Sequence, residues 1–183
     1  MHLTNDQLKK VKKYLPRTKF INISSACEKM RIIKTKEEIA LTQRAYRYFD
    51  KIHAFARDYI LERGTDTTDF EIGQALQTYG INLLMKDIYH NGKPHNAVGM
   101  LVTSEYVRAG VSTAYPHPNQ LFYNKVKKGE AVYVNTDIKI GGCGGEGYRN
   151  YQIDPVSPSQ DKMWSVVAEL SLIHISEPTR QAT

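Results

Sequence analysis

Tyr115-Pro116-His117-Pro118, then Lys125-Val126-Lys127-Lys128-Gly129-Glu130, then Ala131-Val132-Tyr133-Val134-Asn135-Thr136-Asp137, then Gly141-Gly142-Cys143-Gly144-Gly145-Glu146-Gly147-Tyr148 is the stretch on which the reading of this chain turns. Each proline fixes its own φ and pushes the residue before it out of the helical region, so the backbone at His117 is stiff. After the basic turn at Gly129, Val132 and Val134 alternate with Ala131 and Tyr133, which predicts a strand carrying Asn135 and Asp137 at its far end. The glycine run reads first as a flexible hairpin loop, in which Cys143 is a small residue filling a tight bend. Its second reading has backbone amides approaching an anionic group, with Glu146 as an acid nearby.

Outward from this stretch, the chain offers scaffold. Thr4-x-x-Gln7 is a capping-box pattern, and Leu8, Val11 and Leu15 follow on one helical face until Pro16. Phe20-Ile21-Asn22-Ile23 is expected to be a strand. Thr35 and Glu38 predict a second capped helix, with Ile39, Thr42, Tyr46, Phe49, Ile52, Ala56 and Tyr59 on its apolar face and Gly64 as its stop. His53 lies beside that face and reads as a core or boundary histidine. Thr68-x-x-Glu71 opens a third helix through about Met85, with Phe70, Gly73, Leu76, Leu83 and Leu84 inward and Gly80 weakening its middle. Tyr89 to His95 is a polar turn in which His90 and His95 are exposed, His95 being the better site candidate because it stands where a strand begins. Asn96 to Thr103 alternates as that strand, and the chain then turns through Gly110.

Composition excludes several classes. The chain has 183 residues, 41% hydrophobic and 24% charged, enough for one sizeable core. The formal charge of +6 is scattered through Lys9-Lys10, Lys12-Lys13 and Lys127-Lys128 without interleaved aromatics, so no nucleic-acid partner is expected. No apolar run is long enough for a membrane span, and Met1 to Lys13 lacks the hydrophobic region of a signal peptide. A cytoplasmic location is expected, and Cys27 and Cys143 fit a reducing compartment.

A histidine, a basic-Gly-acidic turn, a strand ending in an acidic position and a Gly-Tyr on the return strand together resemble the pita-bread hydrolases: aminopeptidase P, prolidase, methionine aminopeptidase and the metal-free creatinase. Arg31-Ile32-Ile33-Lys34-Thr35-Lys36-Glu37-Glu38-Ile39 resembles that family's entry into its first long helix, and the resemblance covers roughly residues 20 to 169. It implies an α/β (α+β) chain corresponding to the N-terminal half of a pita-bread domain. It also implies His117 as a catalytic proton shuttle, Asn135 and His95 as substrate-binding residues, and Asp137 as a metal ligand. A divalent metal (Mn, Co or Zn) and a small peptide substrate follow for the intact parent, which is expected to be a homodimer.

The family spacing leaves the metal in question. Six residues beyond Gly129 the expected aspartate is Asn135, and three beyond Tyr148 it is Tyr151. An asparagine offers one neutral carbonyl and cannot bridge two ions as a carboxylate does. Three readings stand: a shifted register with Asp137 as ligand, a metal-free creatinase-like site for a small amide or amidino substrate, and a binding module without catalysis. The glycine run departs from all three, lengthening the hairpin by five residues over the family's spacing.

At the other end, Leu170 to Arg180 resembles, codon by codon, an in-frame transposase sequencing adapter, so residues 170–183 are set aside as a non-native tail. The helix starting near Ser159, with Met163, Val166 and Val167 on one face, is then expected to be cut in mid-course. The family's remaining ligands, one histidine and two glutamates, would lie beyond the cut. The expected division is residues 1–30 as a remnant joining an absent N-terminal domain, 31–169 as a partial catalytic domain and 170–183 as the tail, with Met1 an internal start and the polypeptide inactive as written.

Overall fold

The computed structural model of the protein describes residues 4–90, 100–103, 106–115 and 122–176. They fall into two compact units, Met1–Lys36 and Glu37–Thr183.

In the first unit, α1 (Asn5–Tyr14) starts with a complete capping box: Thr4 accepts from the Gln7 backbone, and the Gln7 side chain accepts from the Thr4 N–H. The strand expected at Phe20–Ile23 does not form. The Asn22 side chain accepts from the Ser24 N–H at 2.9 Å, turning the chain into a helix, α2 (Ser24–Ile32). Neither helix buries a residue.

The second unit stacks two helices on one sheet. α3 (Lys36–Arg63) ends at Gly64, whose φ of +55° suits a left-handed stop. α4 (Asp69–His90) begins with a reciprocal box, in which Thr68 Oγ1 accepts from the Glu71 N–H and Glu71 Oε2 accepts from the Thr68 N–H at 2.8 Å. Because α4 runs to His90, Tyr89 and His90 are helical and not part of a turn. The sheet consists of β1 (Met100–Thr103), β2 (Val107–Ala109), β3 (Ala131–Ile140) and β4 (Cys143–Gln152), all antiparallel to β3. β1 and β2 share one side of β3, a 3-10 turn over Gly110–Ala114 follows β2, and β4 takes β3's other side.

Alternation along β3 sends Val132, Val134, Ile138 and Ile140 into the core, where they meet Ile52, Ala56, Ile72 and Leu76. Fully burying side chains of this kind contributes about 1.5–3 kcal/mol each. The buried stripe of α3 is Ala45, Tyr48, Phe49, Ile52, His53, Ala56 and Ile60. Ile39 and Tyr46, expected on that stripe, are exposed at 47% and 43%. The stripe follows what the helix lies against, and periodicity cannot specify that.

The largest departure from expectation is the glycine run, which is not a loop. Gly141 and Gly142 have φ of +59° and +78° and make a two-residue turn, the geometry that twists with the strands. The residues after them belong to β4, which pairs with β3 along its whole length. The extra spacing is therefore strand length. Glycine is required there because α3 crosses β4 closely: a Cβ on Gly147 would lie 2.3 Å from the Phe49 ring.

Beyond β4, Ser157 and Gln160 form another reciprocal box and α5 runs Pro158–Ser176 without a break at residue 170. Its Met163, Trp164 and Val167 are largely exposed. No described helix is long and apolar enough to cross a membrane.

Candidate functional site

The face of the sheet turned away from α3 and α4 is polar. β3 sets Tyr133, Asn135, Asp137 and Lys139 on it by strict alternation. The Gly141-Gly142 turn fixes the pairing so that Asp137 stands opposite Glu146, and Asn135 opposite Tyr148. β2 adds Arg108 opposite Tyr133. Side chains from β2, β3 and β4 thus share one face of the sheet.

Their contacts form two groups. Tyr148 Oη donates to Glu146 Oε2 at 2.8 Å, and Asn135 Nδ2 reaches the same oxygen at 3.4 Å. The bond to the Glu146 carboxylate pushes the Tyr148 hydroxyl up to about 12. Lys139 Nζ donates to Asp137 Oδ2 at 2.8 Å, and that bond together with the Asp137 charge holds the ammonium above its ordinary range. The Arg108 guanidinium, buried at 1% exposure, stacks 5.3 Å from the Tyr133 ring centroid, and Tyr133 stacks in turn on Tyr148. Burial raises the Tyr133 hydroxyl. Asn135 Oδ1 and Asp137 Oδ1 are buried and accept no hydrogen bond from the described residues.

Two acceptor oxygens on one face, flanked by an ammonium and a carboxylate, suit a ligand that brings N–H donors: a peptide amine, an amide or an amidinium. The donor set fits a two-metal centre poorly. Asn135 is neutral, Asp137 has one oxygen engaged by Lys139, and the described residues contain no group of three or more His, Cys, Asp or Glu placed to hold an ion.

Of the sequence-derived site residues, Asn135 and Asp137 share this face. His117 and His95 lie outside the described residues. Tyr151, where family spacing seeks the second ligand, is on the opposite face: it is paired with Val132, and its hydroxyl donates to the His53 carbonyl at 3.0 Å. Glu146, which sequence reading treats only as an acid near a loop, is the carboxylate the fold brings opposite Asp137. The signal that finds it is Gly141-Gly142, since a two-residue hairpin dictates every cross-strand pair.

His53 is a core residue, 6% exposed, with its ring 4.1 Å from that of Phe49. Burial, and secondarily the Arg149 charge, lowers its pKa from 6.5 to about 4. Above pH 6.5 the ring is neutral in both folded and unfolded chains; as pH falls toward 4 only the unfolded chain takes the proton, so stability is lost across that window. Thermal melts at about pH 7 and about pH 5 should show a clear drop for the wild type and a smaller one for His53→Phe.

No protein-family model and no curated protein matches the chain. Among solved structures it is similar to an Xaa-Pro dipeptidase from Bacillus anthracis (20% identity, TM-score 0.72, 93% of this chain and 43% of that one). A prolidase from Thermococcus sibiricus matches at 20% identity and TM-score 0.71, over 96% of this chain and 43% of that one. An X-Pro aminopeptidase from Thermotoga maritima matches at 18% identity and TM-score 0.66, over 91% and 43%. The chain spans less than half the length of each, and at these identities the likeness is one of fold. Helices α3 and α4 over an antiparallel sheet, with the polar face on its far side, make this the N-terminal half of a pita-bread domain.

Proposed function

We infer that the chain is part of an Xaa-Pro aminopeptidase-like hydrolase of the pita-bread type, acting on small peptides in the cytoplasm and incomplete in its catalytic groups over these residues. The observation that carries this reading is the convergence of Asn135, Asp137, Glu146 and Tyr148 on one sheet face, with two buried acceptor oxygens that no described group satisfies. Similarity in fold to Xaa-Pro peptidases supports the substrate class. In this reading Asn135 and Asp137 hold the substrate's N–H groups, and His117 moves the proton at the scissile amide nitrogen. His95 borders the substrate.

A second reading, a metal-free amidinohydrolase, draws support from the Lys139–Asp137 ion pair, which supplies a fixed positive charge without a metal. The test is turnover by the intact parent of Xaa-Pro dipeptides against small amidino and amide compounds, each with and without added Mn²⁺. Cleavage of Xaa-Pro bonds alone supports the first reading and cleavage of amidino compounds alone the second. No turnover of either, with binding retained, means a binding module.

A further inference from the structure

Asp137 and Glu146 stand directly opposite each other on β3 and β4, a position where like charges destabilise a sheet. Two facing carboxylates persist when a cation sits with them, and here one does. Lys139 lies two residues along from Asp137 on the same face, and its Nζ is 2.8 Å from Asp137 Oδ2. The Glu146 charge acts on the same ammonium. The Asp137 side chain is 16% exposed and that of Lys139 42%, so the pair closes the solvent side of the cluster while the Asn135 amide, at 4%, forms its floor.

We propose that Lys139 is the resident cation of this site: its ammonium compensates the Asp137–Glu146 carboxylates in place of a divalent ion and closes the site to metals. This deepens the hydrolase reading above and rests on it for the identity of the site. A tethered ammonium differs from a metal in what it provides. It donates three hydrogen bonds and one charge, but it offers no exchangeable coordination position and cannot activate a water as a Lewis acid. A divalent ion entering the cluster must first displace Lys139 from Asp137. It then finds two carboxylates and one neutral carbonyl, that of Asn135, whose Oδ1 accepts no hydrogen bond from the described residues. Removing the ammonium should therefore create a metal site where the wild type has none.

The experiment is Mn²⁺ titration of the chain, followed by calorimetry and by loss of the free-ion EPR signal, with melting temperature measured in parallel. The wild type should show no saturable uptake up to about 1 mM Mn²⁺, the weak end of carboxylate sites. Lys139→Met, which keeps the apolar stem, should bind at least about tenfold more tightly, because one unit charge is removed within a few ångströms of the ion. Lys139→Arg should stay closed, and Lys139→Met combined with Asp137→Asn should lose the gain. Tight Mn²⁺ binding by the wild type, or equal affinity in wild type and Lys139→Met at unchanged melting temperature, overturns the proposal. If Lys139→Met does not fold, Asp137→Asn in the wild-type background decides: loss of any wild-type Mn²⁺ binding goes against the resident ammonium, and absence of binding in both supports it. Since none of these readouts is turnover, failure of the hydrolase reading leaves them intact; conversely, Mn²⁺-dependent peptidase activity retained with Lys139 in place would keep that reading and overturn this one.

Discussion

Asp69→Ala should lower stability by about 3–5 kcal/mol, seen as a shift of the urea midpoint at unchanged slope. Asp69 is fully buried at the start of α4, and its two oxygens take four donors. Oδ1 accepts from the N–H groups of Phe70 and Asn124 at 2.9 and 2.8 Å. Oδ2 accepts from the Ala109 N–H at 3.2 Å and from Asn124 Nδ2 at 2.8 Å. Asn124 also reaches Ser112 Oγ at 3.1 Å, so one carboxylate ties α4 to the end of β2 and to the segment around Asn124 that leads into β3. Deleting it strands buried donors, and donors without acceptors cost more than the bonds contribute on average. Asp69→Asn should cost roughly half as much, since one acceptor oxygen remains while the new amide opposes the Asn124 donors. A change below about 1 kcal/mol for the alanine variant would mean that water replaces the carboxylate and that the latch is not structural.

His117→Ala in the intact parent should lower kcat by roughly two to four orders of magnitude, the scale for losing a positioned acid or base, while Tm moves little. The argument rests on the flanking prolines: they restrict the backbone whatever side chain stands between them, so truncation should remove chemistry and leave the fold. Rescue of rate by added imidazole would support the proton-transfer role. If activity and stability fall together, the histidine is structural. If chelators leave wild-type activity unchanged, the metal-free reading gains; if they abolish it, ligands from elsewhere in the parent supply what Asn135 withholds.

Much of the fold follows from local chemistry alone. The caps at Thr4 and Thr68, the stop at Gly64 and the alternation through Val132 and Val134 are short-range signals, each complete within a few residues, and the elements they predict form where expected. The failures are those of context. Phe20–Ile23 has the apolar content of a strand but pairs with none of the described residues, and the Asn22 side chain, accepting from the Ser24 N–H, turns the chain where α2 begins. The glycines after Cys143 look flexible because a glycine carries no record of why it is small; at Gly147 the reason is the Phe49 ring of a helix nearly a hundred residues earlier in the chain.

For the site, the sequence by itself determined that Asn135 and Asp137 lie on one strand face, and that positions 135 and 151 carry no carboxylate. Only the tertiary structure decided what they meet. The two-residue turn at Gly141-Gly142 sets Glu146 against Asp137, swings Tyr151 to the helix side and leaves Lys139 within reach of the carboxylates. Strand periodicity assigns a side chain to a face, but its neighbour across the sheet is set by the pairing register, and a shift of one residue would exchange every cross-strand contact among these.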